Sequence, residues 1–337
     1  MGTRGAILAL MLLLAACRGN DAREPFTDSR VPPSLGPADW PPTGWTWGLV
    51  QTGREPPQRY GVAAPDDLIR GQVLILPGYG QSAEDEYRLA RALIAHRFVV
   101  WVLDGAGQGG SGRVSGTRDL GQVESFAPDL TAIEAMIERV TPSDASGPLI
   151  LVAQAEAAPL ALRRLQLGAR VTGVVLLDPM AVDPTGGAAP AHEQIIAWAR
   201  RVGLGRLRAR GLGAWSSGTP EIGAGLSPAA HRAWRTANPD LRMGGPSYDW
   251  LAAYHRLRAE TDAGGLAGVT IPSLVLGSGE DGRERDRLCR ALPRCVQQRF
   301  DGQDAADQAI VSFAETLAVQ GMVTPKWHAL SKPSPRG

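Results

Sequence analysis

Five continuous apolar runs of strand length, at 73–76, 98–103, 149–152, 174–177 and 273–276, set the main constraint on this chain. A strand with one wet face alternates apolar and polar residues, so a run that is apolar at every position must be covered on both faces. Amphipathic stretches of helical length at 85–95, 125–140 and 156–167 lie between these runs. Strand, helix, strand, helix in that order predicts an α/β fold, a mostly parallel sheet flanked by helices. A different texture interrupts it at 181–265, with Arg200, Arg201, Arg206, Arg208 and Arg210, several tryptophans and no strand-like run, which predicts an inserted helical cap. The alternation then resumes with a strand near 296–300 and a helix near 305–320. The plan is a core at 45–180, the cap at 181–265, the rest of the core at 266–320 and a loose Pro-containing tail at 321–337.

The beginning of the chain has its own logic. Arg4 precedes an apolar run at 6–16, too short to span a bilayer and the length of a signal-peptide core. It ends in Leu14-Ala15-Ala16-Cys17, which resembles a bacterial lipobox, where lipid is added to the Cys and the chain is cut before it. Residues 1–16 are then a signal peptide, and Cys17 carries a membrane anchor of two or three acyl chains. Arg18 stands where inner-membrane lipoproteins of the resembled class have Asp, so the expected location is the outer membrane, facing the periplasm. The polar, Pro-rich 17–44 predicts an extended tether, with the folded body starting near Trp45.

Charge and cysteine usage exclude other classes. Thirty-five basic and thirty-four acidic residues leave a net charge of +1, so no global field recruits nucleic acid. Cys289 and Cys295, six apart in an exported chain, can form a disulfide or remain as thiols. With no His or Cys cluster beside them they make no metal site, and nothing in the sequence asks for a cofactor.

Several stretches then carry a resemblance: LILPGYGQSAEDEY at 74–87, VWVLDGAGQGGSGR at 100–113, GQVESFAPDL at 121–130, the cap segment at 226–251, and Cys289-x5-Cys295. Together they resemble the α/β-hydrolase superfamily, in its branch of lysophospholipases, monoacylglycerol lipases and S33-type serine aminopeptidases. The resemblance implies a nucleophilic Ser on a tight turn after the strand at 149–152, an acid after 273–276 and a His after the last strand. It also implies an oxyanion hole from the loop at Tyr79 and from the residue after the nucleophile.

Carried over residue by residue, that machinery is degenerate. The nucleophile's position is Ala155, in Ala153-Gln154-Ala155-Glu156-Ala157, and a methyl group cannot attack a carbonyl. Beside it stands Glu156, a carboxylate where negative charge would have to develop. The acid survives as Asp281, equally suited to capping the helix that follows. The base position is Ala305, with Asp304 and Asp307 as nearest titratable groups, poor bases at neutral pH unless strongly perturbed. Ser111, in Gly109-Gly110-Ser111-Gly112, belongs to a structural turn, and the five histidines (His96, His192, His231, His255, His328) lie in loops, cap and tail.

The function expected is that of a lipid-anchored pseudoenzyme binding an acyl or glycerolipid-like ligand, or a partner. Two alternatives stay open: an ester hydrolase with a non-standard nucleophile, and an interaction module of the envelope. The cap tryptophans serve either as an acyl-binding groove or as core.

Overall fold

Each apolar run divides its side chains between two cores by the simple alternation of a strand. The computed structural model describes residues 23–113, 117–141, 147–179, 190–218, 227–279 and 282–323. In β3 (Gly71–Leu76), Val73 and Ile75 face one layer while Leu74 and Leu76 face the other, all buried. The same division holds in β4 (Phe98–Leu103) and β5 (Leu149–Gln154). With β6 (Gly173–Leu177), β7 (Ser273–Gly277) and β8 (Cys295–Arg299) they form a parallel set.

Two further strands, β1 (Thr46–Val50) and β2 (Gln58–Ala63), extend the sheet antiparallel, giving the order β1-β2-β4-β3-β5-β6-β7-β8. They went unforeseen because neither is an apolar run. In both, glycine makes room for an aromatic ring: a Cβ on Gly48 would lie 2.2 Å from the Tyr60 ring, and one on Gly61 2.0 Å from that of Trp45.

Helix α1 (Tyr87–Ala95) covers one face together with the last helix, α8 (Gln303–Val323). The other face is covered by α2 (Ala127–Ala135), continued by a wide turn at Met136–Val140, and by α3 (Ala158–Gln166). Between β6 and β7 the chain departs into the expected helical insertion, α4 (Pro190–Arg201), α5 (Pro228–Ala237) and α6 (Tyr248–Gly264), before α7 (Arg283–Ala291) returns it to the sheet. Cys289 and Cys295 are joined as a disulfide from α7 to β8.

The segment read as a tether needs correcting from Arg23 onward, because its side chains find partners on the body. Arg23 exchanges backbone hydrogen bonds with Arg113 and reaches the Asp240 carbonyl; Phe26 N–H donates to Gly110 O, and Arg30 N–H to Asn238 Oδ1. Polarity and proline suggested a loose chain, but arginine and asparagine here supply the backbone contacts that fasten it. Cys17 and residues 1–16 lie outside the described residues, as do Asp281 and most of the tail.

One buried ionic cluster organises the loops above the sheet. Arg59 donates to Asp104 Oδ2 at 2.7 Å and to both oxygens of Glu84 at 2.8 Å, with its side chain and both carboxylates fully buried. Asp104 also accepts from Ala83 N–H and Gly110 N–H, and Ser111 Oγ donates to Asp104 O while accepting from Arg59 N–H. The Gly-rich motif is therefore a scaffold for Asp104: at Gly109, with φ +51°, a Cβ would fall 2.3 Å from a carboxylate oxygen. Burial alone would raise the pKa of Glu84, and the Arg59 guanidinium reverses this and lowers it. Arg59→Ala leaves two buried carboxylates uncompensated and should cost about 3–5 kcal/mol, read as a lower urea midpoint with unchanged circular dichroism before the transition.

Candidate functional site

Strand β5 ends at Gln154, and only the turn Ala155–Ala157 separates it from α3. So short a reversal forces Ala155 to φ +45°, the left-handed region an L-residue enters at a cost of about 1–2 kcal/mol. The strained elbow of the resembled hydrolases is thus present without its nucleophile. Ala155 and Glu156 are both buried.

Opposite the elbow runs the loop after β3. Its glycine is dictated by proximity: a Cβ on Gly78 would lie 3.1 Å from the Ala155 methyl and 3.1 Å from Glu156 Oε2. Three successive amides of this loop are each met by a side-chain oxygen. Gly78 N–H donates to Gln81 Oε1 at 2.6 Å, Tyr79 N–H to Glu156 Oε2 at 3.0 Å, and Gly80 N–H to Gln108 Oε1 at 2.7 Å. Tyr79 N–H is the donor that the family resemblance assigns to an oxyanion. Here it binds a carboxylate of the same chain, that of Glu156. Gln81 and Gln108 were not anticipated: both lie within the motifs at 74–87 and 100–113, but the resemblance gives neither a role.

The cap closes this arrangement from above. Tyr79 Oη donates to Gly244 O at 2.8 Å, and its ring meets the edge of Trp250 at 4.7 Å; Trp250 in turn packs on Phe126 and stacks on Tyr254. Burial pushes the Tyr79 hydroxyl well above its usual pKa, so it stays a neutral donor. Trp234 and Trp250 are core, as one reading of the cap tryptophans held, whereas Trp215 lines a cavity of about 280 Å³ with Gly80, Leu212, His231 and Met243. That cavity lies on the cap side of the loop, and neither Ala155 nor Glu156 is on its wall.

Of the two other positions of the expected triad, one is described. Ala305 is solvent-facing in the first turn of α8, and Asp281 lies outside the described residues. Asp307, two residues on from Ala305, is perturbed as a base would need to be: burial raises it to about 7. Its charged surroundings are Arg88 and Asp304, and it acts in turn on Glu86, which burial has also raised. The described histidine rings pair elsewhere, His231 Nδ1 with Asp85 at 3.0 Å and His96 Nδ1 with Glu315 at 3.1 Å. At the end of β6, Asp178 takes φ +45° and accepts from Ser278 N–H at 2.7 Å, tying β6 to β7 where the sequence had suggested no role.

A family model described as serine aminopeptidase, S33, matches residues 67–313. The chain belongs to that family. No match is found among curated protein sequences. Solved structures share its α/β-hydrolase fold: an open-form lipase, 14% identical with a TM-score of 0.65, covering 82% of this chain and 99% of its own. A soluble variant of monoglyceride lipase from Saccharomyces cerevisiae, in complex with a substrate analogue, is 14% identical with a TM-score of 0.62, covering 84% and 98%. Monoacylglycerol lipase from Paleococcus ferrophilus is 19% identical with a TM-score of 0.56, covering 76% and 98%. The family description names a serine, and the strand-to-helix turn after β5 carries Ala155.

The raised Asp307 carries a sign that can be measured. Its folded pKa of about 7 exceeds the ordinary 3.8, so between those values the folded protein holds a proton the unfolded chain has released. Stability should therefore fall as pH rises through that window, with Glu86 adding in the same direction. Asp307→Asn should flatten the decline between about pH 4 and about pH 7 in urea titrations.

Proposed function

We propose that this S33-family chain does not hydrolyse esters and that it acts as a binding protein of the cell envelope, its ligand a single-chain amphiphile held under the cap. The observation that carries the reading is the Glu156 carboxylate on Tyr79 N–H. An attacking group at residue 155 could be restored in principle, but an oxyanion forming there would meet a resident negative charge and a donor already in use. Loss of the serine or the base alone costs serine hydrolases on the order of a millionfold in turnover, and the residual rate depends on an intact oxyanion hole.

Support for a ligand comes from the cavity beside Tyr79. Leu212, Trp215 and Met243 give it apolar walls, and its size, about 280 Å³, is at the small end of ligand pockets, which suits one acyl chain rather than two. The structural neighbours include a lipase and a monoglyceride lipase in complex with a substrate analogue, which supports a lipid-like ligand for this chain. Anchoring through lipid on Cys17 rests on the Leu14-Ala15-Ala16-Cys17 sequence. Cys17→Ala should shift the protein from the membrane to the soluble fraction of cells, and an unchanged distribution would contradict the anchor.

A second reading has one observation in its favour. His231, oriented by the Asp85 carboxylate, lines the same cavity as Ser216 and Ser217. That combination of hydroxyl, imidazole and acid could attack an ester away from the elbow. Against it, Asp85 also takes a bidentate pair from Arg235, at 3.0 and 2.7 Å, which spends its charge on fastening α5 to the core. Treatment with a serine-directed fluorophosphonate separates the readings. Mass spectrometry should find no labelled serine; stoichiometric label on Ser216 or Ser217 would replace the binding protein with a relocated hydrolase.

A further inference from the structure

The cap carries an apolar face that nothing in the described structure covers. Ile195, Trp198 and Val202 follow one another at helical spacing along α4 and its end, and Leu204 and Leu207 continue the face; all five are between 38% and 59% exposed. The opposite side of α4 is ordinary core, with Ile196 and Ala199 buried.

This exposure is not that of a frayed loop. Val202 N–H donates to Trp198 O, Leu204 N–H to Ala199 O, Tyr248 N–H to Leu207 O and Asp249 N–H to Gly205 O, so the backbone is fixed on α6 while the side chains point outward. A rigid backbone holding large apolar groups in water has left them in place for something to bind.

The charges around the face say what. From Glu193 to Arg210 there are five arginines and one acid, in a chain whose net charge is only +1. Three of these arginines are paired: Arg200 with Asp249, Arg206 with Glu124 and Arg208 with Asp119. Arg201 and Arg210 are exposed with no ion pair among the described residues. Aliphatic side chains and a tryptophan, bordered by guanidinium groups, match the boundary between acyl chains and anionic headgroups, where indole sits at the interface and arginine meets phosphate. No described helix is long and apolar enough to cross a membrane, so the contact would lie along the surface.

We propose that the α4 face of the cap docks on an anionic phospholipid surface, with Ile195, Trp198, Val202, Leu204 and Leu207 entering the acyl boundary and Arg201 and Arg210 on the headgroups. This contact is separate from the lipid on Cys17 and does not depend on whether the elbow is inert.

The test mixes purified full-length protein with vesicles of phosphatidylglycerol and phosphatidylethanolamine carrying brominated acyl chains, and with brominated phosphatidylcholine vesicles. Tryptophan quenching should be strong with the anionic vesicles, weaker with phosphatidylcholine and in high salt, and mostly lost in Trp198→Phe. Ile195→Ser with Leu207→Ser should raise the lipid concentration for half-maximal quenching at least about tenfold. Serine at Leu167 and Val296, exposed apolar residues elsewhere, should leave it unchanged. Equal quenching in the parent and Trp198→Phe would overturn the proposal. So would a lipid-free dimer, seen by analytical ultracentrifugation, that the same double variant dissolves, because the face would then belong to a second copy of the chain.

Discussion

A hydrogen bond from Tyr79 N–H to the carboxylate of Glu156 decides what the centre of this molecule can be. In the arrangement that the family resemblance implies, that amide waits for charge that appears during a reaction. Here the charge is permanent and covalently attached. The neighbouring amides of Gly78 and Gly80 are answered in the same way, by Gln81 and Gln108, so the loop presents its donors inward. A buried donor that is already satisfied has little to gain from a ligand, since any newcomer must first displace a partner held at high effective concentration.

The elbow at Ala155 shows how the architecture can stand without a hydroxyl at the turn. Its left-handed backbone is imposed by the short connection from β5 to α3, and both elements are anchored by apolar residues in the two cores. Removing a hydroxyl from that corner leaves the connection unchanged. Arg59 with Asp104 and Glu84 does similar work for the loops above, holding the Gly-rich turn and the start of α1 whatever the elbow carries. Cap and core are fastened by Asp85 with Arg235 and by Tyr79 with Gly244 and Trp250.

What the sequence made legible was whatever depends on local pattern. Runs apolar at every position became the doubly covered strands, the arginine- and tryptophan-rich interval became the inserted cap, and Ala155 and Glu156 lie, as expected, in a tight turn between a strand and a helix. The antiparallel strands β1 and β2 escaped because neither is an apolar run, and the rings that pack on their glycines come from other positions in the sequence. Gln81 and Gln108 escaped for the same reason: a glutamine in a loop has no pattern until the amide it serves is known. The Pro-rich segment after Arg23 was misread because composition reports the tendency of a chain to be loose, while Arg23, Phe26 and Arg30 act through specific partners.

The most direct measurement is native-state amide hydrogen exchange at Tyr79 in the parent protein and in Glu156→Ala. A donor committed to an internal carboxylate should exchange slowly in the parent and at least about tenfold faster in the variant. Equal, fast exchange in both would mean that Tyr79 N–H is open to solvent and still available to an oxyanion, and the account of a self-occupied site would be wrong.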